Sequence, residues 1–208
     1  MSTHLFVLLS MTLVMSGNAR TDTPPSVGQV LRFIIETPGD RMRRTLMLAI
    51  GDELVARSPT FFDLLRRLGD DQRVLLYVRF AQLRLPPPSG RTSFEVAPSG
   101  LVVGFIEIDA GPTTPLSRQG AIVAHELAHA YEVSCLPDIR TTEELLQKLR
   151  ARAASENGGN TAETPFATAI ENTVLDEWFG DPRRIGSQLP ALSAKYELRG
   201  CISPAHRT

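Results

Sequence analysis

Two histidines four residues apart, with a glutamate directly after the first, stand at His125-Glu126-Leu127-Ala128-His129. On an α-helix that spacing puts both imidazoles on one face, so they can close on a single metal ion. Glu126 then lies beside the metal-facing side, placed to take a proton from a metal-bound water. Ala121, Ile122, Val123, Ala124, Leu127, Ala128 and Ala130 make the helix apolar nearly all round, which predicts burial. Ionisable groups inside a buried helix are costly unless something satisfies them. A metal ion with an activated water does so; a chance match on a structural helix is the plain alternative.

The surrounding elements can be read from local signals. Val27–Ile35 reads as a short strand, and Arg44–Arg57 as a helix weakened by Gly51. Ser58-Pro59 restarts a helix, with Ser as N-cap, Pro at the first helical position and Gly69 at the end. Arg73–Phe80 is rich in β-formers and reads as a strand. After the rigid connector Pro86-Pro87-Pro88-Ser89-Gly90 come two strands, Thr92–Val96 and Leu101–Ile108, turning at Pro98-Ser99-Gly100. The histidine-bearing helix follows. Thr141-Thr142-Glu143-Glu144 has capping-box spacing for a helix to about Ala154. Thr164-Pro165 opens another, which stops at Gly180-Asp181-Pro182. The expected fold is α+β: a small, mostly antiparallel sheet packed against the histidine-bearing helix, followed by a helical C-terminal half.

Composition narrows the class of function. Lys plus Arg number 22 against 23 Asp plus Glu, so no electrostatic footprint favours nucleic acid or an anionic membrane. Residues 5–15 form an apolar run too short to span a bilayer, and Gly17-Asn18-Ala19 offers small residues for cleavage. Residues 1–19 therefore read as a signal peptide, although only His4 precedes the run where Lys or Arg is usual. Residues 20–208 then form a single domain, secreted or periplasmic, with no stable membrane insertion after cleavage. Export makes a Cys135–Cys201 disulfide as plausible as two buried thiols, since sequence gives no separation between them.

The HExxH motif, the strand before it and an acidic helix after it resemble the catalytic core of the zincin zinc metallopeptidases. The resemblance spans about residues 73–180, and its specific part is the five-residue motif. It implies zinc as cofactor, a peptide or protein substrate, Glu126 as catalytic base, and a strand ahead of the motif helix that pairs with extended substrate. The stretch His125–Glu132 with Glu163-Thr164 is also similar to small secreted bacterial proteins of unassigned function.

A catalytic zinc has three protein ligands plus water. The metzincin extension needs Gly and His where this chain has Glu132 and Cys135, so that branch is excluded. A glutamate from a second helix, the gluzincin arrangement, remains. With Ala167, Ile170, Val174 and Trp178 forming one apolar arc, Glu163 projects into its middle, Glu171 to its edge and Glu177 to the opposite flank. Metal ligands are thus expected at His125, His129 and Glu163, with Glu171 next and Glu177, Glu132 and His206 behind. The usual Glu-x-x-x-Asp spacing is not met at Glu163, where Ala167 holds the later position. Pro165 also allows Glu163 to lie just outside the helix. Glu132 shares the metal face one turn on, where it either holds a histidine nitrogen or pairs with a base in solvent. Tyr131 and Tyr196 are oxyanion-donor candidates that no spacing selects. Two readings follow: an exported zinc-dependent peptidase, or an exported zinc-binding protein without catalysis, its site structural or a relic.

Overall fold

A computed structural model describes residues 27–34, 38–80, 89–109, 114–136, 138–157, 163–180, 186–198 and 201. The expected signal peptide, His4, His206 and the three prolines of the connector lie outside these residues. The elements run α1 (Val27–Val30), β1 (Leu31–Phe33), α2 (Pro38–Arg57), α3 (Pro59–Asp70), β2 (Val74–Phe80), β3 (Ser89–Val96), β4 (Val102–Asp109), α4 (Leu116–Ser134), α5 (Thr142–Asn157), α6 (Pro165–Phe179) and α7 (Leu189–Lys195). The fold is α+β, and α4 carries the HExxH motif.

The sheet is mixed and mostly parallel, in the order β1-β2-β4-β3. β1 pairs with β2 and β2 with β4 in parallel, and only the β3–β4 hairpin is antiparallel. This corrects the expectation of a mostly antiparallel sheet. Local turn signals reveal a hairpin such as Pro98-Ser99-Gly100, where Gly100 takes φ +82°. They carry no trace of the distant pairing that inserts β4 beside β2. The N-terminal segment also differs: Val27–Val30 forms one helical turn, and only Leu31–Phe33 joins the sheet.

One sheet face presents Leu76, Val78, Phe94 and Ile106, all buried, towards α4. On the other face Arg79, Glu107 and Arg91 stand in one cross-strand row. Both arginines bond the Glu107 carboxylate, Arg79 to one oxygen and Arg91 to the other. The row ties edge strand β3 to β4 and β2. α4 is buried along almost its whole length, between the sheet and helices α2, α3 and α6. Its all-round apolar pattern requires such a central place.

Local caps set where the helices begin. Ser58 accepts the Phe61 N–H at 3.0 Å and Thr164 accepts the Ala167 N–H at 3.2 Å, each followed by Pro at the first helical position. Cys135, at the end of α4, is disulfide-bonded to Cys201, 66 residues on. The short helix α7 begins after Gln188 without a side-chain cap.

Two consequences can be measured. Replacing both cysteines by Ala should lower unfolding stability by about 4 kcal/mol, the chain-entropy value for a loop of this length. Urea denaturation reads it, and a midpoint shift near zero would contradict a closed disulfide in solution. The second concerns acid. Burial alone would raise the Glu107 carboxyl, but the hydrogen bonds from Arg91 and Arg79 outweigh it and hold it below its ordinary 4.5. A depressed carboxyl adds stability that is present above pH 4.5 and lost as pH falls through the folded value. Glu107→Gln should therefore flatten the acid limb of the stability curve; a limb as steep as wild type would remove that role.

Candidate functional site

His125, His129 and Glu163 come together, their ligand atoms all within 4.8 Å of one another. The histidines are placed by α4, one turn apart, with ring centroids 4.9 Å apart. Glu163 arrives from the other side, where α6 packs along α4. Its carboxylate Oε2 is 3.0 Å from His125 Nε2. It reaches that place by a different route from the helical projection. Thr164 caps α6, so Glu163 stands one residue ahead of the cap and outside the helix, as Pro165 permitted.

Both nitrogens of His125 face carboxylates. Nε2 faces Glu163, and Nδ1 lies 2.9 Å from Glu171 Oε2. Two acceptors require hydrogen on both nitrogens, so the ring is an imidazolium. Burial alone would lower its pKa, but the hydrogen bonds to Glu163 and Glu171 prevail and raise it to about 10. The same bonds hold the Glu163 and Glu171 carboxyls below their ordinary value. A divalent ion in place of the Nε2 proton would keep positive charge between these groups while Nδ1–H stayed on Glu171.

His129 is held in a parallel way. Its Nδ1 lies 3.3 Å from Glu132 Oε2, leaving Nε2 for a metal. Glu132 is fully buried and accepts the Thr164 hydroxyl at 2.7 Å. Of the two readings of Glu132, the solvent pair is thus wrong: the carboxylate faces a histidine inside the protein. Glu171 is anchored behind His125 by an ion pair with Arg118. Two imidazoles and one carboxylate, with each Nδ1 backed by a further carboxylate, fit a divalent cation. Tetrahedral bonds of about 2.1 Å hold ligand atoms about 3.4 Å apart, so closing on an ion draws the most separated pair, within 4.8 Å, together by up to about 1.4 Å. The exposed Glu163 side chain allows it.

No protein-family model, curated protein or solved structure matches the chain.

Glu126, between the two histidines in the chain, meets the sheet with its carboxylate. Its Oε2 accepts the Thr92 hydroxyl at 2.7 Å, and the carboxylate lies against Gly90, where any Cβ would collide with it. Burial raises the Glu126 carboxyl above its ordinary value, against the Thr92 hydrogen bond and the two imidazoles, which lower it. Thr92 and Gly90 both belong to β3. Neither was expected at the site, since only the fold of β3 over α4 brings them there.

The remaining candidates lie elsewhere. Glu177 is buried against the start of α3, where Oε1 accepts the Thr60 hydroxyl at 2.6 Å and Oε2 the Thr60 N–H at 3.1 Å. Its carboxylate serves the positive end of that helix. Tyr131 is buried with its hydroxyl 3.3 Å from Ser193, and Tyr196 packs edge-on to Phe166. Both tyrosines are engaged in the packing around α7, so neither is placed as an oxyanion donor.

Three glutamates on or beside one helix thus have different jobs, which single substitutions should separate. Glu163→Ala should weaken divalent-metal affinity most, and Glu171→Ala about 10–100-fold through loss of the His125 partner. Glu177→Ala should leave affinity unchanged while lowering stability by about 3 kcal/mol, the scale for stripping a buried hydrogen-bonded network. Metal titration against a competing chelator and thermal melts give the two readouts. Equal affinity in all three variants would dissolve the assignment.

Proposed function

We propose that the chain is a zinc-dependent peptidase of zincin type, exported from the cell, with His125, His129 and Glu163 as the metal ligands. One observation carries the reading: a buried carboxylate with a raised pKa, Glu126, sits on the same helix turn as a two-histidine, one-carboxylate group. A purely structural site has no use for such a base. Zinc bound there would lower the pKa of a coordinated water to about 7 and polarise a carbonyl.

The protein's own groups do the rest. Glu126 Oε1, the oxygen not engaged by Thr92, takes a proton and later returns it to the leaving amine. The raised pKa suits both transfers, because the group must be able to hold the proton between them. Thr92 fixes the other oxygen. Glu171 and Glu132 keep Nδ1 of each imidazole in its donor form, so that each Nε2 faces the metal.

Substrate would lie along β3. The resemblance assigned substrate pairing to the strand Leu101–Ile108, but that strand, β4, has β2 on one side and β3 on the other. β3 is an outer strand among the described residues, as β1 is at the other edge, and its Gly90 and Thr92 face Glu126. An extended peptide added to that edge would run past the base and the histidines, its backbone held by ladder hydrogen bonds. Such binding reads backbone more than side chains, which favours peptides as a class.

The competing reading is a zinc-binding protein without catalysis. Glu126→Gln separates the two. The variant should bind one zinc per chain as wild type does and cleave a peptide library about 100- to 10,000-fold more slowly, the usual contribution of a positioned base. A wild-type protein that holds zinc yet cleaves nothing, with or without chelator, would leave the binding reading in place.

A further inference from the structure

Glu163 is the least constrained member of the site. It stands ahead of the α6 cap, and its side chain is 60% exposed. Burial therefore does not hold its carboxylate over His125. The chain is fixed at the next residue. Thr164 is buried, with extended backbone at φ −109° and ψ 142°, and its hydroxyl is used twice. It accepts the Ala167 N–H at 3.2 Å and donates to Glu132 Oε2 at 2.7 Å. The same Glu132 oxygen lies 3.3 Å from His129 Nδ1.

Capping a helix requires only that the side chain accept. Donation to Glu132 goes beyond capping and is directed at the site. A hydroxyl has one hydrogen to give, and here it goes to the carboxylate behind His129. The other Glu132 oxygen, Oε1, is buried with no hydrogen-bond partner among the described residues. Thr164 and His129 thus share one oxygen and hold the carboxylate from that end alone.

We propose that Thr164 is a positioning residue for the metal site. Through one hydroxyl it ties the start of α6, and with it Glu163, to the carboxylate that orients His129. The inference rests on the metal-site reading above. Without the Thr164 hydrogen, Glu132 is free to rotate towards its unpartnered side, His129 loses a fixed Nδ1 acceptor, and the approach of Glu163 loses its anchor to α4. A residue that only capped α6 would change stability and leave metal affinity alone.

The test measures Zn2+ affinity of the full chain by competition with a chromophoric chelator, beside the melting temperature of chelator-treated protein. Thr164→Val should weaken affinity about 10–100-fold, while Thr164→Ser, which keeps donor and acceptor, should stay within about threefold of wild type. Thr164→Gly retains much of the capping preference without the hydroxyl and should lose affinity as Val does. It carries the test should the Val variant fail to fold. Thr141, which caps α5 by accepting the Glu144 N–H at 3.1 Å, is the control: Thr141→Val should lower the melting temperature with affinity intact. Adding Thr164→Val to Glu132→Gln should cost less than the product of the two single effects, because both cut the same bond. Unchanged affinity in Thr164→Gly, or effects that multiply in the double variant, would overturn the proposal. Wild-type protein that takes up no Zn2+ would remove the metal site itself and this inference with it; wild-type binding with unaffected variants removes only the inference.

Discussion

A helix buried on nearly every side carries two histidines and two glutamates within its buried length, and their need for partners constrains what can pack around it. α4 holds His125, Glu126, His129 and Glu132, all largely shielded from water. Unpaired, each would oppose folding. Glu163 and Glu171 come to His125 from the α6 side, Thr164 comes to Glu132 at the α6 cap, and Thr92 comes to Glu126 from β3. The polar contacts therefore add direction to an apolar core that has little of its own. An α6 rotated about its axis, or a β3 slipped by one residue, would strand a charge inside the protein.

This division explains what could be read from the sequence. Features written in consecutive residues were legible: the HExxH helix, the Ser58-Pro59 and Thr164-Pro165 helix starts, and the Pro98-Ser99-Gly100 turn. Features that depend on which element lies beside which were not. The parallel pairing of β2 with β4 joins segments more than twenty residues apart, and no local signal encodes it. Helical projection of α6 ranked Glu171 and Glu177 by distance from one apolar arc, but the helix is packed on more than one side. Glu177 lies off that arc and is still buried, because the start of α3 meets it there.

Glu163 shows the limit most clearly. Helical projection puts the residue on the metal face, yet the helix does not begin until Pro165. The structure nonetheless brings it to His125, because the extended residue at the cap directs the preceding chain across α4. Gly90 had no signal at all. Its part is to lack a side chain where the Glu126 carboxylate sits, and that requirement exists only once β3 is laid over the helix.

β3 carries a further consequence. It is paired with a strand on one side only among the described residues, and although the Val96 N–H donates to the Thr142 hydroxyl at 2.9 Å, the rest of its outer edge is a template for another strand. A template that accepts one extended chain accepts others, including the same strand of a second copy. Edge strands restrain such self-association with charge, and β3 presents exposed Arg91 and Glu95 on the face away from α4. Arg91 already neutralises Glu107, while Glu95 has no opposite charge across the ladder, where it meets Val103. The strand that touches the base thus carries, on its opposite face, the charge that opposes pairing between two copies through this edge.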